Sequence, residues 1–348
     1  MKIELINIIH TLIIWQCVLF SIILLTPKYN KRRENKFLAL LLITLGFHFS
    51  YNILLTNQIF IEILPQYSCS YGFLYGPLLY LYVKYRFRKD LVFKPIYFLH
   101  FLPFTLIILF TLLGYGLCNI AMVLVLPMML IYCLFSFFEI KEYKKIMLQV
   151  STTINYAEIK WMKSLLVVQL IIIILNFIQL QFNEEILEVI VQFGLLILVN
   201  IIIYQGLKNP HFFQKLSKED GLLFEIKKTK EPLNIDVLNS ISIILEKHMK
   251  IEKPYLNPEL KLNTLAKELD VHPKILSQTL NQILGSNFSE YINSYRIKQA
   301  KFLLKNSNDK SITIMEIMYQ VGFNSRSVFN TTFKNITGVT PSRYRDNN

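Results

Sequence analysis

The sequence predicts an all-α protein in two parts: a bundle of seven transmembrane helices, followed by a cytoplasmic domain that carries two helix-turn-helix units. Three observations predict it. Seven apolar runs, each of the order of the ~20 residues a membrane helix needs, fill the first part of the chain. Lys and Arg crowd into alternate connections between those runs. One pattern of apolar residues then occurs twice near the C-terminus.

Composition supports the division. Of 348 residues 53% are hydrophobic, the formal net charge is +13 and the mean hydropathy is +0.39. That is too apolar for an ordinary soluble protein and too charged for a chain embedded throughout, so the apolar residues are segregated. The runs lie at residues 5–26, 37–55, 68–83, 96–115, 118–138, 164–181 and 187–205. The third is the least regular, interrupted by Gly72, Gly76 and Pro77 and rich in Tyr71, Tyr75, Tyr80 and Tyr82.

Charge sets the orientation. The connection after span one holds Lys28, Lys31, Arg32, Arg33 and Lys36; that after span three holds Lys84, Arg86, Arg88, Lys89 and Lys94. The connection after span five holds Lys141, Lys144, Lys145, Lys160 and Lys163, whereas the alternate connections at 56–67, 116–117 and 182–186 hold no Lys or Arg. This positive-inside pattern puts the N-terminus outside and, after an odd number of spans, the C-terminus in the cytoplasm. The cationic residues follow the first run instead of preceding it and no small-residue cleavage site is seen, so span one is expected to be retained. Residues 1–205 are thus a transmembrane domain, 206–235 a polar linker of about 30 Å if flexible, and 236–348 a third segment. The expected location is the inner (cytoplasmic) membrane, multi-pass.

Polar residues within the spans are the clue to what the bundle does. His10, Gln16, His48, Asn52, His100, Gln169, Asn176, Gln179, Gln192 and Asn200 sit near membrane depth, where such groups face the bundle interior. They serve either as interhelical hydrogen bonds or as the lining of a ligand cavity. The three histidines lie on different spans with no paired spacing, so no metal site is expected. Cys17 and Cys133 fall within spans; Cys69 and Cys118 fall at the outer ends of spans three and five, where a disulfide between them stays open. No Walker loop, HExxH, Gly-x-Ser-x-Gly or kinase signature occurs, and Glu184, Glu185 and Glu188 read as a solvated cap. No enzyme activity, catalytic residue or cofactor is expected.

In the third segment, Leu262, Leu265, Ala266 and Leu269 match Ile314, Ile317, Met318 and Val321 at a constant offset of 52 residues. Ile275, Leu276, Thr279, Leu280, Ile283 and Gly285 match Val328, Phe329, Thr332, Phe333, Ile336 and Gly338 at an offset of 53, the extra residue falling in the turn. Thr313 and Glu316 have the spacing of a capping box. A duplicated helix, turn, helix unit can place its second helix in a major groove. Between the copies a helix from about Phe288 to Leu304 has two stripes, one of Phe288, Tyr291, Ile292, Tyr295 and Phe302, the other of Ile297, Ala300 and Leu304, so it can pack on both units as a rigid spacer.

Residues 236–345 resemble the DNA-binding domain of the AraC/XylS family of bacterial transcription regulators. The family's C-terminal signature stands here as Ile317, Val321, Gly322-Phe323, Phe329, Phe333-Lys334, Gly338, Thr340-Pro341 and Tyr344-Arg345, and its linker-helix pattern as Tyr291-Ile292, Arg296-Ile297, Ala300 and Leu303-Leu304. Met318 departs from it, standing where the family usually has Ala, although the first unit keeps Ala266. The resemblance implies a seven-helix AraC-type domain and base-reading positions at Lys274, Ser277 and Gln278 and at Arg326, Ser327, Asn330 and Thr331. Arg326 and Lys274 suit guanine and Gln278 and Asn330 adenine, while Lys334, Asn281 and Arg345 suit phosphate. Residues 206–348 hold 21 Lys and Arg against 14 Asp and Glu, an excess that fits DNA or anionic lipid alike.

The function these features imply is a membrane-integral one-component transcription regulator, sensing a signal through the bundle and binding promoter DNA sequence-specifically. A transporter or a passive membrane tether with the same DNA-binding end is the alternative. The expected partners are double-stranded promoter DNA, the lipid bilayer and an unidentified small ligand or membrane signal; a homodimer and RNA polymerase stay open.

Overall fold

A computed structural model describes residues 2–27, 29, 33–57, 59, 67, 69–87, 94–149, 151, 156–182, 185–208, 234–306 and 312–346. Helices dominate, and the one β feature among these residues is an isolated bridge between Ser151 and Lys261. The chain divides into two compact units, residues 1–143 with 156–220, and residues 144–155 with 221–348. Most of the linker, residues 209–233, lies outside the described residues, as do Lys28, Lys31, Arg32, Arg88, Lys89 and Glu184.

Each apolar run of the first unit holds a helix, the fifth of which continues into residues 144–148 of the second unit. The helices are α1 (Lys2–Leu25), α2 (Arg33–Thr56), α3 (Gly72–Phe87), α4 (Leu102–Leu112, continuing a 3-10 segment Pro95–Phe101), α5 (Cys118–Leu148), α6 (Tyr156–Phe182) and α7 (Glu185–Lys208). Among the described residues, five helical stretches are long and apolar enough to cross a membrane: Glu4–Leu25, Arg33–Thr56, Pro95–Leu112, Cys118–Leu148 and Ile159–Ile178; Val189–Tyr204 is shorter. Large apolar side chains point outward, with Trp15 62%, Phe47 65%, Val123 69% and Phe138 65% exposed. A soluble protein rarely leaves apolar surface so extensive uncovered.

The glycines that interrupt the third run are packing sites. A Cβ at Gly72 would lie 2.6 Å from Val125 Cγ1, and one at Gly76 would lie 2.8 Å from the Tyr132 ring. Their small size lets α3 approach α5 closely, as small residues do between membrane helices. The helix continues through Pro77. Arg86 and Glu34 form a buried ion pair at 3.5 Å, and a disulfide joins Cys69 to Cys118, closing a separation of 49 residues.

The second unit contains α8 (Ile235–Ile251), a 3-10 turn Pro254–Leu256, α9 (Leu262–Glu268), α10 (Pro273–Gln278), α11 (Phe288–Asn306), α12 (Ile314–Gln320), α13 (Arg326–Thr337) and α14 (Pro341–Asp346). Two cores form. Leu245, Met249, Leu262, Leu265, Ala266, Leu276 and Leu280 meet Phe288, Tyr291 and Ile292 of α11, while Ile317, Met318, Val321, Phe329 and Phe333 meet Ile297, Ala300 and Leu304 of the same helix. The two stripes of α11 therefore each serve one unit. Phe302 does not join its stripe: it is 58% exposed, because seven residues beyond Tyr295 the helix has outrun the first core.

Candidate nucleic-acid interface

Each unit owes its turn to a residue with positive φ. Asp270 (φ 52) follows α9 and Gly322 (φ 89) follows α12, at the same offset of 52 that relates the apolar positions. α12 begins with the predicted capping box: Thr313 Oγ1 accepts from the backbone N–H of Glu316 at 3.1 Å, and the Glu316 carboxylate accepts from the backbone N–H of Thr313 at 2.6 Å. The second helix of each unit is followed by a left-handed glycine, Gly285 (φ 61) and Gly338 (φ 81).

The second unit turns its polar face outward. Phe329 and Phe333 are fully buried, and opposite them Arg326, Ser327, Thr331 and Lys334 are exposed with Asn330 half-buried. Ile336, placed on the apolar side by its spacing, is 52% exposed; it stands in the last turn, past the edge of the core that holds Phe333. The predicted reading residues of α13 share one accessible, cationic face, suited to phosphates and guanine edges.

The first unit differs. His272 caps α10, its Nδ1 accepting from the Lys274 backbone N–H at 3.2 Å, and Pro273 occupies the first helical position, where its missing N–H costs nothing. After Gln278 the helix widens into a π turn, Thr279–Ile283. Ser277 is 6% exposed, Lys274 and Gln278 are half-buried and Asn281 is exposed. Asn281 Nδ2 donates to the Ser277 carbonyl at 2.7 Å, whereas Gln278 Oε1 is enclosed without a hydrogen-bond partner. The repeat thus predicts two equivalent faces, but Ser277 and Gln278 of the first are more enclosed than Asn330 and Thr331 of the second.

Arg345 is half-buried on α14, with Nε and Nη2 enclosed and unpartnered, while Arg343 beside it is exposed. The sequence reading also missed the role of Arg296. This residue is 1% exposed, with Nε donating to Tyr255 O at 2.7 Å, Nη2 donating to Asn257 O at 2.7 Å and the guanidinium 5.4 Å from the Phe323 ring centre. Burial pushes its pKa down to about 10, opposed by the carboxylate of Glu259. An arginine between two apolar stripes was the available signal. Among the described residues no group of His, Cys, Asp and Glu is arranged to hold a metal.

Comparison with known proteins locates the likeness in this unit. A family model described as a helix-turn-helix domain matches residues 265–347. YisR of Bacillus subtilis, an uncharacterized HTH-type transcriptional regulator, is 35% identical over 95 residues, or 26% of this chain and 32% of that protein. The Msm operon regulatory protein of Streptococcus mutans is 31% identical over 96 residues, or 28% and 34%. The chain thus spans about a third of the length of these relatives. Among solved structures, the C-terminal domain of AraT, a response regulator from Geobacillus stearothermophilus, is 28% identical over 32% of this chain and 85% of that one, with a TM-score of 0.27. The end of this chain, residues 265–347, is a helix-turn-helix domain of the AraC type.

Proposed function

We propose that the protein is a membrane-integral transcription regulator whose seven helical segments each cross the cytoplasmic membrane and whose C-terminal unit binds promoter DNA from the cytoplasmic side. The observation that carries this reading is the exposed face of α13, cationic at Arg326 and Lys334, in an AraC-type domain that follows a set of helices apolar on their outer surface. Arg326, Ser327, Asn330 and Thr331 with Lys274, Ser277 and Gln278 read base edges; Lys334, Asn281 and Arg345 hold phosphates. Two reading helices in one chain address adjacent major grooves about 10 to 10.5 base pairs apart.

The alternation of cationic connections supports an outer N-terminus. So does the Cys69–Cys118 disulfide, a bond that persists in an oxidising compartment, between two residues assigned to the outer side on charge alone. The bundle is then the sensor, passing its state to the DNA-binding unit. The test uses the full chain in lipid nanodiscs: it should retard promoter DNA fragments with an affinity that falls steeply as salt rises. A C-terminal tag should be reached by protease only from the cytoplasmic side. Retention indifferent to both sequence and salt would remove the DNA reading, and a tag outside the inner membrane would remove the topology.

A further inference from the structure

The sequence left two uses open for the polar residues of the bundle, and the structure brings five of them to one place. A cavity of about 210 Å³ within the first unit is lined by His48, Asn52, Gln169, Asn176 and Gln192 together with Tyr75, on walls otherwise made of aliphatic side chains, Phe49, Gly72 and Met129. It exceeds the ~150 Å³ apolar cavity that admits benzene. His48 hydrogen-bonds Tyr75 through Nδ1 and stacks with Tyr71 at 5.5 Å, which fixes one wall. Asn176 is tied to its own helix, Nδ2 donating to Ile172 O at 2.8 Å. Gln192 is different: its Oε1 is buried and has no hydrogen-bond partner. A helix bundle that needed this amide only for packing would have paired it, since an unmet buried polar atom is costly.

We infer that this cavity is the bundle's ligand site and that it takes a small uncharged molecule, an apolar body about the size of one ring bearing a hydroxyl or amide group that bonds to Gln192. The choice of chemistry follows from the lining. No Asp, Glu, Lys or Arg is among the lining residues, so a charged ligand would lose its hydration with no counter-charge to replace it. The aliphatic walls accept a ring, and the polar groups, confined to neutral amides, one imidazole and one phenol, both donate and accept as a hydroxyl requires. Such a molecule crosses or dissolves in a bilayer, so it reaches a site at membrane depth without an aqueous channel. This inference rests on the reading of the first unit as membrane-embedded and supplies the class of signal that reading lacks.

The experiment photolabels the full chain in nanodiscs with 4-azidobenzyl alcohol and maps the adducts by mass spectrometry. Labelling should saturate, fall on peptides of α2, α3, α6 and α7 and on the Val125–Met129 stretch of α5, and be competed by benzyl alcohol but not by benzoate or benzylammonium at the same concentration. Gln192→Leu should weaken labelling roughly tenfold, the loss of one buried hydrogen bond, while the melting transition persists. Gln192→Met, closer in shape, serves if the Leu variant does not fold. Adducts that rise without saturation and land on the outward faces around Trp15 and Phe138, competition by the charged analogues, or undiminished labelling of both variants would each overturn the inference. Promoter retention by the same preparation is scored separately. Its loss with saturable labelling intact strikes the regulator reading alone, and the converse strikes only the ligand site.

Discussion

Arg296 and Gly322 meet over a single atom, the carbonyl oxygen of Tyr255. The Arg296 Nε–H donates to that oxygen at 2.7 Å, and a Cβ built on Gly322 would lie 2.6 Å from it and 2.7 Å from the carbonyl oxygen of Leu256. The spacer helix α11, the turn ahead of the first unit and the turn inside the second are thereby locked together. This junction adds to the two apolar cores in holding the second helices of the two units apart.

Gly322→Ala must both hold a left-handed backbone with a side chain present and push two carbonyls aside. It is expected to cost about 2 to 4 kcal/mol. Arg296→Ala takes the guanidinium donor from the carbonyl of buried Tyr255 and one of two donors from that of Asn257, which keeps the Leu260 N–H; it is expected to cost about 3 kcal/mol, with Arg296→Lys recovering only part, because one ammonium does not reproduce the fork. Pulse proteolysis across a urea series measures both. The double variant should lose less than the sum, since the sites share one acceptor; additive losses would show that they act separately.

Arg326 and Lys334 stand on one face of α13 but are assigned different tasks. Arg326→Ala should relax base preference at one position of the site by roughly 1 to 3 kcal/mol, whereas Lys334→Ala should weaken every sequence alike and lower the salt slope by about one. Binding measured on a panel of single-base variants at several salt concentrations separates the two. A uniform loss for Arg326→Ala would reassign it to phosphate.

The Cys69–Cys118 bond closes a loop of about fifty residues, for which chain entropy gives a stabilisation of about 4 kcal/mol. Reduction, or Cys69→Ser with Cys118→Ser, should lower the unfolding midpoint of the bundle by that equivalent. Cys17 and Cys133 are free and buried. A membrane-impermeant maleimide added to whole cells should therefore label nothing until a reductant is supplied, and then only from outside. Labelling without reductant would mean that the bond is absent from the cell.

Much of this was legible because it depends on local spacing. The duplicated pattern, the Thr313–Glu316 box and the two stripes of α11 follow from helical period and chain order alone. Where the sequence misled, the deciding fact was tertiary. Gly72 and Gly76 read as breaks because a glycine's partner, here Val125 and Tyr132, cannot be seen from its own helix. Phe302 and Ile336 have core spacing yet lie past the ends of their cores. Five polar residues of the spans were identifiable one by one, but their convergence depends on how each helix is rotated, which near-uniform apolarity around a membrane helix leaves unspecified. The π turn in the first reading helix carries no sequence signal that we recognise.

The enclosure of Ser277 makes the two units unequal in a way substitution can read. Ser277 and Ser327 are not equivalent by number, the repeat pairing Ser277 with Asn330, but both are assigned to base edges; yet Ser277 is 6% exposed and Ser327 lies open. Ser277→Gln introduces volume into a packed position and is expected to cost about 1 to 3 kcal/mol of stability, while Ser327→Gln on an open face should stay within about 0.5 kcal/mol. Both should alter binding to DNA, Ser277→Gln partly through the displaced helix and Ser327→Gln only at the contacted base. Thermal unfolding of the two variants beside their affinities for one promoter fragment makes the comparison. A Ser277→Gln protein as stable as its parent would mean that Ser277 is not packed in solution and lies as open as the face of the second unit.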